Sequence, residues 1–60
     1  MRYAIFDTQA DEGKQYVGID FVRVADIDSA EHFYFKDYAQ HMINQNGISS
    51  MIVVDTKELD

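Results

Sequence analysis

One segment of this chain has the apolar periodicity of an α-helix, and it limits how the rest can fold. The segment runs from Phe35 to Gly47, with apolar residues at the i, i+3, i+4, i+7 and i+8 positions of a helical face. Gly47 readily takes the left-handed conformation that ends many helices. We therefore expect one amphipathic helix on which the remaining segments pack. Its apolar residues are Phe35, Tyr38, Ala39, Met42 and Ile43.

Three other segments have the branched and aromatic composition of β-strands. The first two flank a turn, residues 9–14, in which Gly13 can take a positive φ, and this pattern predicts a β-hairpin. In the second strand the apolar residues change phase, which indicates a bulge or burial of both faces. The predicted strands are residues 2–8, 15–25 and 48–55.

The segment between the second strand and the helix, residues 26–35, has two interpretations. Asp28 or Ser29 with Glu31 has the pattern of a capping box, which would start a helix early. Phe33–Phe35 is more typical of a short third strand, because an early helix would put Phe33 on the polar face. In this preferred interpretation the helix begins near Lys36.

The predicted fold is one α+β domain over residues 1–60, a small antiparallel sheet of three to four strands with one helix, in the order β-β-(β)-α-β. Both alternate faces of the strands carry apolar residues, whereas one helix covers one face. A chain of this size buries only about 60% of its unfolded surface. It has no cysteine for disulfides, so we expect a homodimer.

The charge balance is strongly acidic, with 11 carboxylates against five basic residues and a formal net charge of −6. Such a field repels nucleic acids and membrane surfaces and attracts basic surfaces. We expect no nucleic-acid partner and no membrane partner. Solubility alone also accounts for such a charge. The lack of cysteine, of a signal peptide and of a long apolar run fits a cytoplasmic protein.

Catalytic, metal and cofactor signals are weak. The serines have no evident histidine base, and His32 and His41 are too far apart for a helical metal pair. Asp26, Asp28 and Glu31 partly match the spacing of a calcium loop but lack its other ligands. We expect no enzyme, no metal and no cofactor, with the two histidines as partly exposed polar residues.

A partner-binding surface is the better-supported prediction, because aromatic residues anchor protein interfaces and the chain has four Tyr and four Phe. In a dimer, Tyr38 and Met42 from two helices would line a groove edged by carboxylates, while Phe35, Ala39 and Ile43 pack on the sheet. The alternative is that Tyr38 and Met42 are simply core. The predicted partner-binding residues are Tyr38, Met42, Asp37, Tyr34 and Glu31.

Three stretches resemble a known family. DEGKQY at residues 11–16, FYFKDY at 33–38 and MIVVD at 51–55 are similar to stretches of the small dimeric uracil-DNA glycosylase inhibitors made by phages. DEGKQY matches nearly letter for letter. This chain is longer than the family between the second strand and the helix.

The resemblance implies antiparallel strands with one helix per subunit, paired into a dimer. It implies a DNA mimic that occupies the enzyme's DNA-binding cleft and captures a protruding apolar side chain between the two helices. Such a protein would act in the host bacterial cytoplasm and protect phage DNA from repair. The family's pocket phenylalanine falls on Tyr38, its glutamate on Ala39 and its pocket tyrosine on Met42, and its aspartate is retained as Asp37.

Another class of function remains open. The opening RYAIFDT, with DEG and YVG after it, also resembles antitoxins that neutralise a small basic RNA-cleaving toxin. The proline- and glycine-containing segment typical of those antitoxins is absent from this sequence. A further alternative is another acidic phage protein that binds a host DNA-binding protein.

Overall fold

A four-stranded antiparallel sheet with one helix makes up the fold of residues 2–57, which are the residues that the computed structural model describes. The sheet has the order β3-β2-β1-β4. This architecture confirms the predicted α+β class and strand number. The elements are β1 (Tyr3–Asp7), β2 (Tyr16–Val17), β3 (Arg23–Val24), α1 (Lys36–Asn46) and β4 (Met51–Asp55).

Strand β1 lies in the middle of the sheet and pairs with both the second and the last strand of the chain. Its register with β4 places Ile5 opposite Val53. Its pairing with β2 places Phe6 opposite Tyr16, and Gly13 in the connecting turn has φ 89°. The predicted hairpin and its glycine turn are confirmed. The closing strand is shorter than predicted and begins at Met51.

The prediction of one continuous strand over residues 15–25 is wrong. The chain reverses after Gly18, so that β2 and β3 pair antiparallel on either side of a short 3₁₀ turn. Asp20 and Phe21 in this turn have φ of 57° and 61°. The phase change in the sequence therefore marks a reversal of the chain and not a bulge.

The predicted third strand at Phe33–Phe35 is also wrong. Phe33 alone pairs with β1, exchanging backbone hydrogen bonds of 2.7 and 2.8 Å with Tyr3. Tyr34 and Phe35 are exposed and unpaired in the sheet. The alternative of an early helix fails as well, since Ile27–Ser29 forms only a 3₁₀ turn without a side-chain cap.

Helix α1 begins at Lys36 and ends at Gly47 as predicted. Asp37 lies in its first turn, where the helix dipole favours an anion. Gly47 has φ 65°, and its N–H donates to the carbonyls of Ile43 (3.0 Å) and Asn44 (3.3 Å). The C-terminal end of the helix is therefore encoded by a local signal, whereas Phe35 before the N-terminal end makes no side-chain cap.

The core lies between α1 and one face of the sheet. Ala39 and Ile43 are the buried helix residues, at 0% and 4% exposure, and Met42 packs at the edge of the cluster. The expectation that Phe35 also packs on the sheet is wrong, since it precedes the helix in an extended conformation and is 74% exposed. The other fully clustered core residues are Ile5, Val17, Phe33 and Met51.

Helix α1 has 11 residues, and in residues 2–57 no helix is long and apolar enough to cross a membrane.

Candidate protein-binding surface

Three aromatic side chains are exposed where the chain enters α1, and we call them the aromatic patch. They are Tyr34, Phe35 and Tyr38, which are 72%, 74% and 56% exposed. Large exposed apolar side chains near one another on a small protein often mark an interaction site. The sequence predicted two of these residues for partner binding but assigned Phe35 to the core.

The ring of Tyr38 packs on the ring of Phe33. The two ring centroids are 5.7 Å apart and the planes are inclined by 32°. Phe33 is itself buried and is fixed to β1 by its two backbone hydrogen bonds with Tyr3. Tyr38 is therefore held on the surface by the core and is not part of the core.

Tyr34 lies at the other side of the patch, where the guanidinium of Arg2 is 5.8 Å from the centroid of its ring. A cation within about 6 Å of an aromatic face is attracted to it. The contact gives Tyr34 a defined neighbour while most of the ring remains open to solvent.

An open depression of about 310 Å³ lies beside the aromatic patch, and we call it the acidic depression. Met42 and Phe21 are its partly buried apolar members, and both pack against the core. The backbone N–H of Glu31 donates to the carbonyl of Val17 (3.0 Å), which fixes this residue beside β2. The lining residues are Ile19, Asp20, Phe21, Glu31, Met42 and Asn46.

The patch and the depression are joined through α1. Tyr38 and Met42 are four residues apart, so they are neighbours on one face of the helix. Asp37 precedes Tyr38 and points about 100° away around the helix axis. The structure thus brings Tyr38, Met42 and Glu31 together and adds Tyr34 at the patch, whereas the exposed Asp37 lies on another face.

Ile19, Phe21 and Phe35 belong to this surface but were missed from the sequence. After Phe21 the apolar residues move from one set of alternate positions to the other, and this change was the only sequence signal for the turn. It did not distinguish a reversal of the chain from a bulge. Nothing in the sequence marked Phe35 as exposed, because its helical spacing matches that of Ala39 and Ile43.

Ala39 has no exposed surface. The position at which the resembling inhibitors carry a glutamate therefore faces the sheet in this chain. Any acidic contact near the aromatic patch has to come from another residue, and Glu31 and Asp20 are the carboxylates that line the adjoining depression.

One carboxylate is held inside the domain. Asp7 is buried, and its Oδ2 accepts a hydrogen bond from Arg23 Nη1 at 2.8 Å. Hydrogen bonds from Ser50 and from the backbone N–H of Gln9, with the Arg23 guanidinium, lower the pKa of Asp7 against an opposing effect of burial. This pair joins β1 to β3 and neutralises one basic residue and one carboxylate, so the net charge of −6 belongs to the other side chains.

The two histidines and the acidic residues weighed as metal ligands show no metal-binding arrangement in residues 2–57. His32 Nε2 lies 2.9 Å from the carbonyl oxygen of Ile27, and His41 is exposed on the helix. Among residues 2–57 there is no group of three or more His, Cys, Asp or Glu that could hold a metal ion.

Comparison with protein-family models, with curated proteins and with solved structures found no match. The aromatic patch, the acidic depression and the resemblance of three short stretches are therefore the basis for a functional proposal.

Proposed function

We propose that this chain inhibits a uracil-DNA glycosylase by mimicking DNA. In this proposal the protein is a homodimer that occupies the basic DNA-binding cleft of the enzyme. A groove between the two helices receives the apolar side chain that protrudes from that cleft. The protein itself binds neither nucleic acid nor membrane.

The aromatic patch is the observation that carries the proposal. An exposed ring that the core holds in place, as Phe33 holds Tyr38, contributes apolar contact area with little loss of conformational freedom on binding. Tyr34 and Phe35 extend the same surface. Aromatic anchors of this kind are enriched among the residues that dominate binding energy at protein interfaces.

Charge supports a basic partner. The chain has 11 carboxylates and five basic residues, and one of the five, Arg23, is committed to Asp7. The remaining excess of negative charge steers the protein toward a positive surface such as a DNA-binding cleft. The same charge repels DNA, so inhibition would come from contact with the enzyme.

The groove between two helices depends on side chains at the edge of the single-subunit core. Tyr38 is more than half exposed, and Met42 is partly buried and flexible enough to contact an aliphatic side chain. A second helix beside them would complete a pocket that one subunit leaves open.

Uracil excision from a fluorescent oligonucleotide by a bacterial uracil-DNA glycosylase tests the proposal directly. We expect the purified protein to stop excision at near-stoichiometric amounts. As a control, a DNA-repair nuclease assayed on its own labelled substrate should keep its full activity. That result would exclude inhibition through binding of the protein to DNA. Full excision in the presence of a large molar excess of the protein would overturn the proposal.

A matched pair of variants separates the aromatic anchor from diffuse charge. Tyr38→Ala removes the ring, and Asp37→Asn removes one exposed carboxylate from the neighbouring position. We expect at least about thirtyfold weaker inhibition for Tyr38→Ala, the effect of an interface hot spot, and little change for Asp37→Asn. Equal effects would contradict an anchor at Tyr38.

A further inference from the structure

The acidic depression has an apolar interior and a negatively charged lining. Met42 and Phe21 pack against the core at its base, and Ile19 is a mostly exposed apolar member at its edge. Its volume of about 310 Å³ accommodates one long side chain with room for water. A ligand in it would contact both apolar side chains and carboxylates.

In the part of the chain that the structure describes, neither carboxylate in the lining is neutralised by an ion pair. Within residues 2–57, the side chains of Asp20 and Glu31 form no ion pair, and the residues that line the depression include no basic one. Glu31 is half-buried, which reduces its screening by water. The depression is therefore complementary to a cation that also has an apolar stem.

A single backbone turn positions both the apolar ring of Phe21 and the carboxylate of Asp20. Asp20 and Phe21 are consecutive residues with left-handed φ, an unfavourable conformation for side chains other than glycine. The turn directs Phe21 against the core and leaves Asp20 exposed. A 2.6 Å hydrogen bond from the Gly18 N–H to the Val22 carbonyl closes the turn and fixes this side of the depression.

We propose that the acidic depression binds an arginine side chain of the partner protein. The methylene stem of the arginine lies on Phe21 and Ile19, and its guanidinium reaches the carboxylates of Asp20 and Glu31, while Met42 remains available to the groove between the helices. Arginine fits better than lysine, because its planar and weakly hydrated head both stacks on an aromatic ring and pairs with carboxylates. This inference depends on the proposed function in one respect, which is that the partner is a basic protein.

Titration of the ¹⁵N-labelled chain with N-acetyl-arginine amide, followed by NMR, tests the site without any enzyme. We expect saturable shifts at the amides of Ile19, Phe21, Glu31 and Met42. N-acetyl-citrulline amide has the same shape without the charge and should produce no saturable shift. Equal responses to the two compounds, or shifts spread over every exposed carboxylate, would overturn the proposal.

Three variants that each remove one negative charge distinguish the site from the overall field. Glu31→Gln and Asp20→Asn should each weaken the titration by about fivefold, in the range of partly exposed ion pairs. Asp37→Asn, on another face, should leave it unchanged. Equal weakening by all three would contradict a local site.

Inhibition of excision without saturable arginine binding would overturn this inference alone, whereas arginine binding without inhibition would overturn only the proposed glycosylase target.

Discussion

Tyr38 lies on Phe33, with the two ring centroids 5.7 Å apart and the ring planes inclined by 32°. Phe33 is 8% exposed and belongs to the core, whereas Tyr38 is 56% exposed and belongs to the aromatic patch. This contact connects the stability of the domain with the position of its proposed anchor. It also allows the two properties to be separated by mutation.

Phe33→Ala and Tyr38→Ala should affect different measurements. Phe33→Ala leaves a cavity in the core and should lower the free energy of unfolding by about 3 kcal/mol or more. Tyr38→Ala should lower it by only about 1 kcal/mol, because most of the ring is already in water. Urea unfolding followed by circular dichroism gives both values. A loss for Tyr38→Ala as large as that for Phe33→Ala would place Tyr38 in the core.

The hydrogen bonds that buried Asp7 accepts from Ser50, Gln9 and Arg23 predict how stability depends on pH. The pKa of Asp7 in the folded state is below its ordinary value of about 3.9, so the unfolded state takes up the proton first as the pH falls. The contribution of Asp7 is therefore complete above about pH 5 and is lost as the pH falls through 3.9 and then through the lower folded-state pKa.

Asp7→Asn should remove this dependence and should also destabilise the domain at pH 7. It removes the charge that Arg23 faces, and because the Arg23 side chain is partly exposed and also donates to the Lys14 carbonyl, we expect a cost of about 1 kcal/mol. Thermal unfolding of both proteins between pH 2 and pH 7 tests the prediction. Parallel stability curves for the two proteins would show that Asp7 does not contribute to the acid sensitivity.

Gly18→Ala should destabilise the domain although the backbone conformation at Gly18 is ordinary. An added Cβ would lie 3.1 Å from the Val22 carbonyl oxygen and 3.2 Å from Val24 Cγ1. That carbonyl already accepts the Gly18 N–H, so it cannot move away without weakening the turn. We expect a loss of about 1–2 kcal/mol, and a larger loss for Gly18→Val, in denaturant unfolding. Full stability of Gly18→Ala would show that the turn relaxes easily.

Asp20→Gly should stabilise the domain slightly, because glycine takes a positive φ without the steric cost that Asp20 bears. Asp26→Gly is the matched control, since it removes the same charge at an exposed residue whose φ of −112° is ordinary. We expect a gain of about 0.5 kcal/mol for the first variant and a small loss for the second. The same sign of change in both would indicate an effect of charge and not of backbone strain.

The elements that local signals encode were predicted well. Helix α1 has its own periodicity and an end signal at Gly47, and the first hairpin has a glycine turn between apolar strands. These features depend on residues within a few positions of one another. The α+β class followed from them, because one helix and several short strands have few ways to pack.

The candidate surface was only partly predictable. Tyr38 and Met42 were placed correctly at the edge of the helix stripe, since their angular position follows from helical geometry. Phe35 was assigned to the core because its spacing matches that of Ala39. Its exposure depends on its position just before the helix, where the extended backbone turns the side chain away.

The sequence by itself determined where α1 ends, where the first hairpin turns and how acidic the protein is, because these depend on neighbouring residues or on composition. Only the tertiary structure decided that the chain reverses at Asp20 and Phe21. Left-handed φ at two residues other than glycine is unfavourable locally and persists here where Phe21 packs against the core. That long-range contact forms the acidic depression beside Met42, which no local pattern in the sequence encodes.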